Sequence, residues 1–145
     1  MYEDYDPHAR NLIFYFLDKH FPDPDHLVRP TDPLPIVVDE AEIRELFPTD
    51  DRLENYRALN KAVREIGLNI PPLVNAYMAL SPEMRVFGTA INEDFGHVEE
   101  TGILIAIDEI IPDKRVRHIE TFDPDKAQSD LLWTNISRRV RLVKS

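Results

Sequence analysis

The sequence predicts one α/β domain in which helices pack on a small, incomplete sheet. Apolar residues recur at three- and four-residue steps in several segments, and two short segments between residues 85 and 107 have strand-like patterns instead. A chain of 145 residues, 43% of them apolar, is long enough to bury one core. Two or three strands beside a larger number of helices leave sheet edges and faces that need further partners.

The first helix is predicted to begin at Asp6 and Pro7, because aspartate caps a helix and proline fits its first turn. It is apolar around most of its circumference, which predicts deep burial, and it ends before Pro22. Residues 22–35 contain five prolines and therefore predict an irregular connector over the surface. Residues 36–38 read as a short strand or an apolar staple.

Two helical signals follow the connector. Asp39 with Glu42 forms a capping-box pattern for a short helix that ends at Phe47. An amphipathic helix with Gly67 at its C-terminal end is predicted from five apolar positions, which are Leu53, Tyr56, Leu59, Val63 and Ile66.

A short apolar helix over residues 73–80 is predicted after two consecutive prolines. Residues 85–91 alternate with period two and predict a strand, a turn spans residues 92–96, and residues 101–107 predict a strand that is apolar on both faces. The last predicted element is a basic amphipathic helix over residues 127–143. The candidate contacts of this helix with an anionic membrane or a partner protein are Trp133, Arg138, Arg139 and Arg141. An ordinary terminal helix that packs on the domain is the competing interpretation.

Charge and composition restrict the function. The formal net charge of −10 disfavours nucleic-acid binding, which needs a cationic surface. The charge is uneven, since residues 112–145 carry 8 bases and 5 acids while residues 1–111 carry 9 bases and 22 acids. The absence of cysteine fits a reducing cytoplasm and removes thiolate chemistry, and we expect no metal site. No apolar run approaches the roughly 18 residues of a membrane span.

Three neighbouring residues are the first candidates for chemistry. His97, Glu99 and Glu100 lie just before the second strand, where an acid or imidazole with a suitable pKa is able to serve as a general base. A solvated turn is the competing interpretation. Asn75 and Tyr77, on the apolar helix, are candidates for substrate binding or for hydrogen bonding in the core, and Asn92 is a candidate substrate contact.

One short motif has the spacing of a phosphate-binding loop. Residues 85–90 fit the Arg/Gln-x-x-Gly-x-Gly/Ala pattern of the donor loop in GNAT acyltransferases, which needs a helix directly after it. Acidic residues and Gly96 follow instead. We therefore favour a strand whose small residues allow a neighbour to pack closely.

A wider set of segments resembles the C-terminal half of the hemolysin-type GNAT-like N-acyltransferases, the group of ornithine-lipid and glycine-lipid synthesis, in the form found in Bacteroidetes-type bacteria. The shared features are a Pro-Pro-Leu-(Val/Ile/Leu)-x-x-Tyr helix, a strand with a glycine near its centre, an Asp/Glu-x-Phe-(Asn/Gly) turn, and an acidic residue before an apolar strand. In this sequence they occupy residues 60–64, 69–78, 87–92, 94–96 and 99–104. The resemblance covers residues 1–122 of the single domain 1–145 and leaves residues 123–145 as an additional basic helix.

The resemblance implies a partial GNAT-like fold and transfer of a 3-hydroxyacyl group from acyl carrier protein, or from acyl-CoA, to an amino-acid amine in membrane aminolipid synthesis. It implies no covalently bound cofactor, a companion O-acyltransferase, and a cytoplasmic protein peripheral to the inner membrane. Glu99 or Glu100 is then expected to orient or deprotonate the amine. The family's first half, with the donor-binding loop, has no counterpart in these 145 residues.

Two non-catalytic alternatives stay open. In the first alternative, the domain is a binding module that docks a protein or an anionic membrane through its basic C-terminal helix. In the other, two copies associate through the unpaired sheet to form a homo-oligomer.

Overall fold

A computed structural model describes residues 4–116 of the chain, and within that range it is a partial α/β fold. The elements are five α-helices, two of them short, and one two-stranded antiparallel sheet. In chain order they are α1 (Pro7–His20), α2 (Glu40–Leu46), α3 (Arg52–Glu65), α4 (Pro72–Leu80), β1 (Arg85–Asn92), β2 (Val98–Leu104) and α5 (Pro112–Arg115). The predicted helix over residues 127–143 lies outside the described residues.

Helix α1 is the centre of the core, as its apolar circumference predicts. The carboxylate of Asp6 accepts hydrogen bonds from the backbone N–H groups of His8 and Ala9, at 2.9 and 3.0 Å, and so caps the helix. α1 packs against α3, where Leu59 and Val63 are fully buried. The buried apolar residues of α1 are Ala9, Leu12, Ile13, Phe14, Phe16 and Leu17.

The other predicted helices form close to their expected bounds. Asp39 accepts from the backbone N–H of Ala41 and caps α2. α3 ends at Glu65, and Gly67 has the positive φ, +86°, that its position predicts. α4 is apolar but lies at the surface, since none of its residues is fully buried.

The proline-rich connector covers one edge of the sheet. Pro33 forms an isolated antiparallel bridge with Ala90, and the N–H of Leu34 donates to the carbonyl of Thr89 at 2.8 Å. Residues 36–38 form no strand, and Ile36 and Val38 pack half-buried against the core. Of the two interpretations of that segment, the apolar staple is the one the structure contains.

The strict alternation predicted for β1 is wrong after its second residue. The pairing register shifts between Val86 and Gly88, a β-bulge, so Val86 and Thr89 are both buried although they are three residues apart. The inserted residue shifts the alternation by one position, so that later side chains of β1 lie on the opposite face from the one predicted. Sequence alternation alone contains no signal for this insertion.

β2 begins three residues earlier than predicted. Pairing starts at Asn92 with Val98, and the chain between these two residues contains a short 3₁₀ turn at Glu93–Phe95. The turn fixes the register of the hairpin, so the polar residues before Thr101 enter the strand. Ile107, expected in the strand, lies instead in a second 3₁₀ turn, Ile107–Glu109.

Candidate functional site

The segment with donor-loop spacing is part of a packed strand. β1 continues to Asn92 and only a three-residue turn follows, so no helix N-terminus faces the glycine. The guanidinium of Arg85 donates to Asp25 at 2.5 Å and to Asp23 at 3.3 Å, so that its charge is matched by two carboxylates. A Cβ atom on Gly88 would lie 3.1 Å from Cγ of Pro30. The close neighbour expected from the small residues is therefore Pro30.

The two adjacent acids of the hairpin lie on opposite faces of β2. Neighbouring strand residues alternate between faces, and the partners of these acids show which face each one takes. Glu99 bonds to Arg10 of α1, so it is on the face covered by the helices. Glu100 accepts from the side-chain amide of Asn92 at 3.1 Å, near the end of the neighbouring strand. The structure brings Asn92 and Glu100 together and separates Glu100 from Glu99.

Glu99 belongs to a partly buried polar chain between β2 and α1. The Arg10 guanidinium donates to Oε1 of Glu99 at 2.5 Å, and the two side chains are 19% and 9% exposed. Two further nitrogens of Arg10 lie 3.3 Å from Oδ1 of Asn11, whose Nδ2 donates to the backbone carbonyl of Val37 at 2.9 Å. One strand, one helix and the apolar segment 36–38 thus fix the position of this guanidinium.

Two hydroxyl groups lie on the same helix-facing side of the hairpin as Glu99. Thr89 and Thr101 pair across the strands with their hydroxyl oxygens 2.7 Å apart. Thr101 is two residues from Glu99, so both side chains lie on the same face of β2. The helix-facing side of the hairpin therefore carries one carboxylate and two hydroxyls, and the Arg10 guanidinium of α1 lies against the carboxylate.

The remaining predicted site residues occupy other places. His97 is exposed in the hairpin turn with φ of +54°. Asn75 accepts from the hydroxyl of Tyr56 at 2.8 Å, which joins α4 to α3, and Tyr77 packs against the core. Core hydrogen bonding, one of the two interpretations of Asn75, is thus the contact that the structure records. Trp133, Arg138, Arg139 and Arg141 lie outside the described residues.

Arg10 is the residue that sequence reasoning missed. It lies in the first turns of a helix that is otherwise deeply buried, where a cation needs an anionic partner. That signal was present in the sequence, but the partner is 89 residues away and no local pattern identifies it.

Residues 4–116 contain no group of three or more histidine, aspartate or glutamate side chains arranged to hold a metal ion. None of the helices in this range is long and apolar enough to cross a membrane.

Residues 4–116 form a partial α/β fold in which an ion pair joins the hairpin to a buried helix. Comparison with known proteins indicates which class of protein has this sequence. The chain is 58% identical over 122 residues to a protein of Bacteroides thetaiotaomicron named glycine N(alpha)-acyltransferase, and 59% identical over 122 residues to a protein of the same name from Phocaeicola vulgatus. Each alignment covers 84% of this chain but only 36% and 37% of the relatives, so the chain spans about a third of their length.

These homologues support a relationship to N-acyltransferases. No protein-family model matches the chain, and no solved structure matches it.

Proposed function

We propose that this chain forms part of the acceptor side of an N-acyltransferase that joins a fatty acyl group to an amino-acid amine, and that the acceptor is glycine. The observation that carries the proposal is the 58–59% identity to two glycine N(alpha)-acyltransferases over most of this chain. The chain spans about a third of those proteins, so the reaction is assigned to a longer polypeptide that includes it.

The finer parts of the proposal come from the sequence resemblance. The donor is a 3-hydroxyacyl thioester of acyl carrier protein, with acyl-CoA as the other thioester source. The product is a lysolipid that a companion O-acyltransferase completes, at the cytoplasmic face of the inner membrane. The hemolysin-type GNAT-like group is the family in which this chemistry is expected.

The reaction needs an uncharged amine, a polarised thioester carbonyl and little water. The amine nitrogen attacks the carbonyl carbon, the new C–N bond forms, and the C–S bond breaks to release the carrier thiol. The ammonium of the free amino acid loses one proton before attack, and the nitrogen loses a second as the amide forms. One of these protons goes to the departing thiolate and the other to a base.

Among the acids of residues 4–116, Glu99 is the one best placed to take part in that proton transfer. It is 9% exposed, on the helix-facing side of the hairpin, and beside a fixed guanidinium. Glu100 and His97 are more exposed, on the other face and in the turn. Glu99 orients the ammonium and receives its proton directly or through one water.

The experiment uses the full-length gene product that contains this chain. The purified protein is incubated with a long-chain 3-hydroxyacyl carrier protein and ¹⁵N-glycine, and mass spectrometry measures ¹⁵N-labelled N-acylglycine. Ornithine, serine and alanine serve as competing acceptors, and reactions without enzyme or donor as controls. The proposal expects enzyme-dependent N-acylglycine, and thioester hydrolysis without any acylated amino acid would contradict it.

A further inference from the structure

We infer that Arg10 and Glu99 together recognise the acceptor as a zwitterion, with Arg10 binding the α-carboxylate and Glu99 the α-ammonium. The inference rests on the proposed function, since it assigns the amino-acid end of that reaction. It adds Arg10 as a specificity-determining residue and states why the acceptor is a free amino acid rather than any amine.

The exposure of the pair suits a binding site. At 19% and 9% exposed, the Arg10 and Glu99 side chains are partly shielded from water, so each charge interacts strongly with what replaces its partner. Both side chains nevertheless keep part of their surface in contact with solvent. A fully exposed pair would be screened and contribute little to recognition.

Arg10 keeps its place independently of Glu99. Asn11 contacts two nitrogens of the guanidinium at 3.3 Å and is itself held by the carbonyl of Val37 at 2.9 Å. The guanidinium is therefore preorganised to receive a second carboxylate, and its planar array of donors matches a carboxylate in a bidentate manner.

A zwitterion satisfies both members of the pair at once. An α-amino acid that enters between them replaces one ion pair by two, namely guanidinium with carboxylate and ammonium with Glu99. A simple amine offers no carboxylate to the Arg10 guanidinium, and a simple acid offers no ammonium to Glu99, so each of them forms one of the two new ion pairs and not the other. The arrangement therefore selects amino acids over amines and acids. It also places the reacting nitrogen next to Glu99, its proton acceptor.

A purely structural ion pair between α1 and β2 is the alternative, and acceptor selectivity separates the two. Glycine and glycinamide carry the same amine on the same carbon, but in glycinamide a neutral amide replaces the carboxylate. If the ion pair only stabilises the fold, its loss lowers the rate of acyl transfer to both acceptors alike. Loss of a carboxylate-binding residue lowers transfer to glycine only.

The test measures kcat/KM for glycine and for glycinamide with the full-length protein, both as the wild type and as Arg10→Gln. Each acceptor is assayed at a pH equal to the pKa of its own amine, so that half of the amine is uncharged in both assays. The wild type is expected to prefer glycine, and Arg10→Gln is expected to lose on the order of 10- to 100-fold in kcat/KM for glycine, mainly through KM, with glycinamide changed less than about threefold. The matched control is Arg44→Gln, because Arg44 is an exposed arginine that pairs with Glu40 on α2. It should leave the ratio of the two acceptors unchanged.

Each outcome decides the inference. An Arg10→Gln variant with an unaltered glycine-to-glycinamide ratio overturns it, and so does a wild type that acylates both acceptors equally well. If Arg10→Gln does not fold, Arg10→Lys replaces it and is expected to keep part of the preference, since it retains the charge but not the bidentate array. Absence of transfer to any amine would refute the proposed function instead, which is a distinguishable result.

Discussion

Replacing Gly88 by alanine is the substitution whose cost the structure specifies most fully. Gly88 has φ of +110°, a conformation that costs a residue with a Cβ atom about 1–3 kcal/mol. The new Cβ would lie 3.1 Å from Cγ and 3.3 Å from Cδ of Pro30, and such overpacking costs about 1–3 kcal/mol. The stiffer unfolded chain of alanine offsets about 0.5 kcal/mol. Together these contributions are expected to lower the free energy of unfolding by about 1.5–5.5 kcal/mol.

Two other glycines separate the contributions. Gly96 has φ of +74° but nothing within 4 Å of a new Cβ, so Gly96→Ala isolates the backbone cost at about 1 kcal/mol. The φ of Gly102 lies outside the left-handed region, so alanine fits the backbone there. A Cβ atom added at this position would lie 3.4 Å from Phe87, which is an ordinary van der Waals contact. Gly102→Ala is therefore expected to change stability by less than about 1 kcal/mol.

Urea unfolding of the three variants, followed by circular dichroism, measures these differences. The double variant Gly88→Ala with Pro30→Ala removes the two ring atoms and should recover part of the loss, which a double-mutant cycle quantifies. A Gly88→Ala variant as stable as Gly102→Ala would refute this reasoning about φ and the contact with Pro30.

Three further predictions concern the helical core. Leu59→Ala, at a fully buried position, should lower the free energy of unfolding by about 2–5 kcal/mol, whereas Leu53→Ala, at a position 59% exposed, should change it by less than about 0.5 in the same urea experiment. Asp6→Ala removes the cap of α1 and should cost about 1 kcal/mol, and Asp6→Asn should restore most of it. Burial and two neighbouring cations lower the pKa of His20, so the unfolded chain binds a proton there more readily, and stability should fall as the pH drops below about 6.5. A His20→Gln variant should lose this part of the pH dependence, and a pH dependence identical to that of the wild type would contradict the assignment.

The helices could be predicted from the sequence because their signals are local. Asp6 and Asp39 cap helices within three residues of themselves, and Gly67 follows directly after the helix that it terminates. The apolar circumference of α1 predicted its burial for the same reason. The resemblance to N-acyltransferases likewise rested on short segments, and homologues with that name support it.

The hairpin could not be predicted in full because its geometry depends on distant residues. The bulge after Val86 and the closure of the hairpin at Val98 come from strand pairing and the turn, and neither leaves a periodic signal. The partners of Glu99 and Gly88 are Arg10 and Pro30, both far away in the sequence. For the same reason the adjacent acids at 99 and 100 looked like one site, although the pleat of the strand separates them.

The central claim is that the helix-facing side of the hairpin belongs to the acceptor site of an N-acyltransferase. The most direct test is kcat/KM for glycine acylation by the full-length protein carrying Glu99→Gln, with Glu65→Gln as the control, since Glu65 is an exposed acid at the end of α3. The account predicts a loss on the order of 100-fold for Glu99→Gln, with folding intact by circular dichroism, and no change beyond about twofold for Glu65→Gln. A Glu99→Gln enzyme within about threefold of the wild type would contradict it.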